Sequence, residues 1–219
     1  MMNTSLDIKK TAGPVATAAL LVQAKVTRQG VDTLVPQLRA LIAVIYPDAT
    51  LQAAWSETAQ RVYAYLHLAG KPLLDSAAAL KLEQALGASS DGVSAVQVSR
   101  LENVFDIAGA SAGQTPAFHY VVEMDPETGW APELASWYDT EHMPGLAGVD
   151  GCIRATRLLN HDHGPLSLAC YDLVTQEALG SPPWLAVRAS DWSSRVRPHF
   201  TNTVRTMFEV MPCAWDMRG

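Results

Sequence analysis

Phe118-His119-Tyr120-Val121-Val122-Glu123-Met124 is followed by the turn cluster Asp125-Pro126-Glu127-Thr128-Gly129 and then by a helix-like stretch from Ala131 to about His142. Successive residues of a strand point to opposite faces. Phe118, Tyr120, Val122 and Met124 therefore share one face, the more apolar one, and His119, Val121 and Glu123 share the other. The proline and glycine of the cluster end the strand. Beyond the helix, Pro144-Gly145 is a stop signal, since proline cannot continue a helix. Ile153 to Leu159 and Ser167 to Val174 read as a hairpin around the polar loop Asn160 to Pro165. Thr175 to Phe200 holds a helical segment that Pro182-Pro183 interrupts, and Thr203 to Val210 is the last strand.

The preceding part of the chain has the same order. Ala18 to Val26 reads as a buried strand. Val31 to Ile45 carries Leu34, Val35, Leu38, Leu41, Ile42 and Ile45 at helical spacing, and Tyr46-Pro47-Asp48 stops it. Leu51 to Ser56 and Arg61 to Leu68 form a hairpin. Asp75-Ser76 caps a helix running to about Leu86, Gly87 ends it, and Val93 to Leu101 supplies a strand. Each part is β-α-β-β-α-β, the split βαβ or ferredoxin-like arrangement. The predicted class is α+β: tandem ferredoxin-like repeats after a leader over 1–16, with one half over 17–110 and the other over 116–213. Such a sheet has helices on one face only, so its other face needs a cover. In a duplicated chain the two sheets can cover each other and form a pseudo-dimeric α/β barrel. Two unrelated α+β domains, or one open sheet, are the alternatives.

Composition narrows the functions. Of 219 residues, 48% are apolar and only 17% charged, against roughly 25% charged in ordinary soluble domains. The shortage suggests covered surface, most simply a homodimer interface. A net charge of −6 without a basic stripe argues against nucleic acid and against an anionic membrane surface. Cys152, Cys170 and Cys213 form no CxxC pair, as expected of reduced thiols in a cytoplasmic protein. Cys152, after a glycine at a strand entrance, is a weak candidate for a reactive thiol. Lys9-Lys10 before Ala12 to Val22 superficially resembles an export signal, but Gly13, Pro14 and Thr17 interrupt the run.

One run stands out: Trp137-Tyr138-Asp139-Thr140-Glu141-His142-Met143-Pro144-Gly145-Leu146, followed by Val149-Asp150-Gly151. It resembles the EthD-like and related small dimeric α/β-barrel proteins, whose first helix ends in a W-Y-x-x-E-H-x-P-x-L type run before a Val-Pro-Gly-like turn. The resemblance covers about residues 116 to 211, and Asp150 stands where that turn usually has proline. The corresponding helix of the first half, Leu34 to Ile42, lacks the run and looks like a degenerate copy. The wider superfamily includes cofactor-free monooxygenases, polyketide cyclases, muconolactone-type isomerases, stress-induced barrel proteins and, more distantly, haem enzymes. The resemblance implies a cavity between sheet and helices, lined partly by the histidine of the run.

On an α-helix residues four apart share a face, which puts Trp137 over Glu141 and Tyr138 over His142, with Asp139 also in reach of His142. A helix C-terminus and a neighbouring carboxylate both favour a protonated imidazole. The expected enzyme is cofactor-independent and works on a small apolar or aromatic molecule by acid/base chemistry, as an isomerase, cyclase, dehydratase or oxygenase. His142 is its acid/base, Asp139 or Glu141 orients it, and His119 is a second proton donor or acceptor. Trp137 and Tyr138 shape the pocket; Arg154 and His199 are candidate substrate contacts. The same residues also suit packing, ion pairs and a helix–strand junction in a non-catalytic ligand-binding or assembly protein. An axial histidine would serve a haem-binding barrel, although no cofactor is expected. His161-Asp162-His163 looks like a metal pair but sits in a Gly/Pro loop without a third ligand, so no metal is expected. No GxGxxG, Walker, GxSxG or HExxH run occurs.

Overall fold

The computed structural model describes residues 9–87 and 92–215, with side chains as far as Met211. The first half of the leader and the Cys213 side chain lie outside the described residues. The chain forms two compact units. One is built mainly from Val104–Leu159 and Pro165–Met207; the other takes Thr11–Asn103, Asn160–Gly164 and the chain from Phe208 onward.

In the second of these units a short strand β1 (Val15–Ala16) precedes β2 (Ala19–Val26), helix α1 (Arg28–Ile45), β3 (Thr50–Ser56), β4 (Arg61–His67), a short β5 (Leu73–Leu74), helix α2 (Ser76–Leu86) and β6 (Val93–Ala108). β1 pairs with β5, which holds Val15 and Ala16 at the end of the expected leader against Leu74 and Leu73. β2 lies between β4 and β6, with Val22 opposite both Ala64 and Val98, and β3 continues the antiparallel sheet beyond β4. Thr27 caps α1 by accepting from the Gly30 amide at 3.2 Å, and Asp75 caps α2 through the Ala78 amide. Alternation puts Leu20, Val22 and Ala24 against Val31, Leu34 and Leu38 of α1. Leu21 and Tyr63, on the opposite sheet face, are fully buried too. Arg100 on β6 is completely buried with every donor satisfied. It binds both carboxylate oxygens of Asp162 and the carbonyls of Thr11, Gly13 and Leu74.

The first-named unit runs β7 (Phe118–Pro126), α3 (Ala131–Trp137), a π-helical turn (Tyr138–His142), α4 (Met143–Ala147), β8 (Cys152–Asn160), β9 (Ser167–Leu173), a 3-10 turn, α5 (Pro182–Arg188), α6 (Asp191–Val196) and β10 (Phe200–Trp215). β9 lies between β7 and β8, with Cys170 opposite Val121 and Thr156. The end of β6 from Val104 and the start of β10 up to Met207 belong to this unit, where β6 follows β8 and β10 follows β7 in the strand order. Helices alternate with antiparallel strands in both units, and the α+β class holds. Met124, Leu134, Trp137, Leu146, Tyr171 and Trp184 are the heart of this unit's core. Gly151 turns into β8 at φ +91°, where a side chain would be strained.

Two helix boundaries differ from the sequence reading. Pro144 does not close the helix: α4 runs through it. The π turn before it supplies the reason. Inserting one residue into a helix changes which amides need partners, and proline, with none to offer, sits in the first turn of the segment that follows. Likewise Pro182-Pro183 starts α5 rather than interrupting it, with Ser181 capping through the Trp184 amide.

Candidate active site

The run that resembles a family motif winds as a π turn. The Met143 amide donates to the Tyr138 carbonyl, five residues back. Its register sets the site. Trp137 stacks on His142, with ring centroids 4.1 Å apart and planes 23° from parallel, and Tyr138 meets the same imidazole edge-on at 5.7 Å. Trp137, Tyr138 and His142 are all buried. Among the described residues, His142 Nδ1 and Trp137 Nε1 have no hydrogen-bond partner.

The carboxylates of the run are engaged elsewhere. Asp139 holds the Arg157 guanidinium at 2.8 Å, and Glu141 accepts from the Ser190 hydroxyl at 2.6 Å. His142 therefore hydrogen-bonds neither. Its protonation also runs opposite to the sequence expectation. Burial pushes the imidazole down to about 3, and the charges of Arg197 and Arg188 add to the effect. The helix does not end at His142, so no C-terminal dipole offsets that burial.

His142 faces a cavity walled by Tyr120, Trp137, Tyr138, Tyr171, Trp184 and Phe200. Its rim carries Arg188, Arg197 and Arg205. The cavity holds about 30 Å³, room for a single water. Burial pushes the Tyr138 and Tyr171 phenols well above their usual range, so both are neutral. The Tyr171 hydroxyl donates to Met143 Sδ. As arranged, these residues do not fit a haem: the cavity of about 30 Å³ beside His142 has no room for one.

The other predicted residues lie apart. His119 is buried on the β7 face opposite Tyr120 and Val122 and bonds Asp172 on β9 at 2.7 Å, so it does not share the His142 cavity. Arg154 makes a two-point pair with Asp106. His199 bonds Glu127 at 2.5 Å and stacks on Trp130. In the 160–165 loop, Asp162 holds Arg100, His161 bonds Glu102 and His163 bonds Glu83; among the described residues no cluster suits a metal. Burial, with Asp172 nearby, raises the Cys152 thiol to about 12, so it is no ready nucleophile. The sequence reading missed the three arginines. They come from α5, the turn after α6 and β10, and no local pattern joins them.

No family model matches the chain, and no curated protein matches it in sequence. Solved structures do. An anthrone oxidase-like protein superposes with a TM-score of 0.60 at 11% identity, over 89% of this chain and 92% of that one. A chlorite dismutase from Candidatus Nitrospira defluvii gives 0.57 at 9% identity, over 90% and 93%. A monooxygenase candidate from Lactobacillus acidophilus gives 0.55 at 10% identity, over 89% and 93%. No helix of the described residues is long and apolar enough to cross a membrane. These neighbours are dimeric α/β-barrel proteins, the superfamily that the run at 137–146 resembles, and the chain carries their fold.

Proposed function

We propose that the chain is a small-molecule enzyme, without a bound organic cofactor, whose reaction is proton abstraction from an aromatic substrate by His142, of the oxidase or oxygenase kind. The observation that carries this reading is the neutral, buried, unpartnered imidazole on an aromatic cavity. A neutral imidazole can accept a proton, whereas an imidazolium cannot. Trp137 fixes the ring plane, and the neutral tyrosines offer walls without competing charge. The rim arginines would stabilise an oxyanion as it develops, and that anion would in turn stabilise the imidazolium. Substrate entry requires the rim to open, and Arg205, which is exposed, is the side chain freest to swing.

The anthrone oxidase-like neighbour suggests the assay. Anthrone plus dioxygen gives anthraquinone plus water, with His142 removing the first carbon-bound proton to leave the enolate. Purified protein and its His142→Gln variant are offered anthrone in air, and quinone formation is followed by absorbance. The expected result is turnover by the native chain and loss of about a hundredfold or more in the variant, at unchanged circular dichroism. Full activity in His142→Gln would rule the base assignment out. The small cavity supports a second reading, a non-catalytic binding or assembly protein of the same fold; in that case His142→Gln changes stability alone. The reading of the chain as two duplicated halves, 17–110 and 116–213, and as a homodimer, belongs to the same proposal.

A further inference from the structure

We infer that the cavity, once its rim opens beyond the present room for a single water, takes a planar aromatic ligand bearing an anionic oxygen, which Arg188, Arg197 and Arg205 hold at the rim while the ring lies against the Tyr120, Trp137 and Phe200 walls. This deepens the enzyme reading by naming the substrate class, and it rests on the same cavity. The first support is an imbalance of partners. Arg154, Arg157 and Arg195 of the same unit each bind a carboxylate: Asp106, Asp139 and Glu133. Arg188, Arg197 and Arg205 line one cavity, and among the described residues none has a carboxylate partner. In a chain of net charge −6, acidic side chains are in surplus, so three unpaired cations on one rim are not forced by composition.

The second support is geometry. The Arg197 guanidinium donates to the Arg188 carbonyl at 3.3 Å, which anchors it beside the end of α5 rather than in solvent. Arg188 and Arg197 are half-buried. Burial and the mutual repulsion with Arg188 and Arg205 work against the charged form of Arg197. An anion between the three would relieve that repulsion, and guanidinium forks suit a carboxylate or enolate oxygen. The third support is the wall. Trp137, Tyr138 and Phe200 lie within 4.6 to 6.2 Å of one another, an aromatic surface suited to stacking a ring.

The test is calorimetric titration of the full chain with 2-naphthoate, its neutral isostere 2-naphthamide, and acetate. Naphthoate should bind at least about tenfold more tightly than either of the others. Arg197→Gln and Arg188→Gln should each weaken naphthoate by about tenfold and leave naphthamide unchanged. Arg195→Gln, which breaks the pair with Glu133 outside the cavity, should change neither. Equal binding of naphthoate and naphthamide, equal binding of naphthoate and acetate, or no binding at all would overturn the inference. So would unchanged naphthoate affinity in a folded Arg197→Gln. The two proposals fail separately. Arginine-dependent naphthoate binding with an active His142→Gln sinks only the base assignment. An inactive His142→Gln with equal naphthoate and naphthamide affinity sinks only the ligand class.

Discussion

The Trp137 indole and the His142 imidazole are stacked at 4.1 Å although five residues separate them. On an α-helix, five residues turn by about 500°, leaving the two side chains about 140° apart. The π turn absorbs that difference and brings both onto one face. The site therefore depends on one extra residue in one turn.

That stack makes a prediction for Trp137→Leu. The indole is fully buried, so its loss should lower stability by about 3 kcal/mol. It should also let water reach His142 and raise the imidazole pKa from about 3 toward its ordinary value. Histidine resonances followed by NMR across pH report this directly. An unmoved His142 titration would show that Trp137 does not keep it dry.

The depressed imidazole also couples stability to pH. Above the unfolded pKa, about 6.5, the ring is neutral in both states and contributes no slope. Below it the unfolded chain takes up the proton first, because the folded pKa is about 3. Stability should therefore fall as pH drops through this window, by at most ~1.4 kcal/mol per pH unit. His142→Gln should remove that share of the slope. Urea unfolding at several pH values for both proteins measures it, and parallel curves would contradict the buried neutral ring.

Asp139 gives a different outcome from the one its position in the run suggests. It faces Arg157, whose side chain is only 6% exposed, and not His142. Asp139→Asn should cost about 2 kcal/mol by leaving the guanidinium without its counter-charge, with some relief because the carboxylate is partly solvated. His142 titration should not move. A large shift there would restore Asp139 as the residue that orients it.

Arg100 is the strongest single stability prediction. Arg100→Met strands the Asp162 carboxylate and three backbone carbonyls that it now binds. The expected loss is about 4 kcal/mol by chemical denaturation. A loss under about 1 kcal/mol would mean that water replaces the guanidinium without difficulty.

Local chemistry in the sequence determined most of the elements. Period-two patterning located Phe118–Met124, an apolar run located Ala18–Val26, and caps at Asp75 and Gly87 bounded α2, because those signals act within a few residues. The same nearness made Trp137 to Pro144 visible as a candidate site. Tertiary structure decided what the run does. The run winds as a π turn whose Trp137 and Tyr138 pack against Phe200, far along the chain, a partner that no local signal names. Strand register gave His119 its Asp172 partner and took it out of the cavity. The rim arginines meet only because α5, the turn after α6 and β10 converge, and nothing within one segment encodes such a meeting. Short-range forces write their positions into neighbouring residues. Burial, and the charge balance it creates around His142, arise only once distant segments have packed.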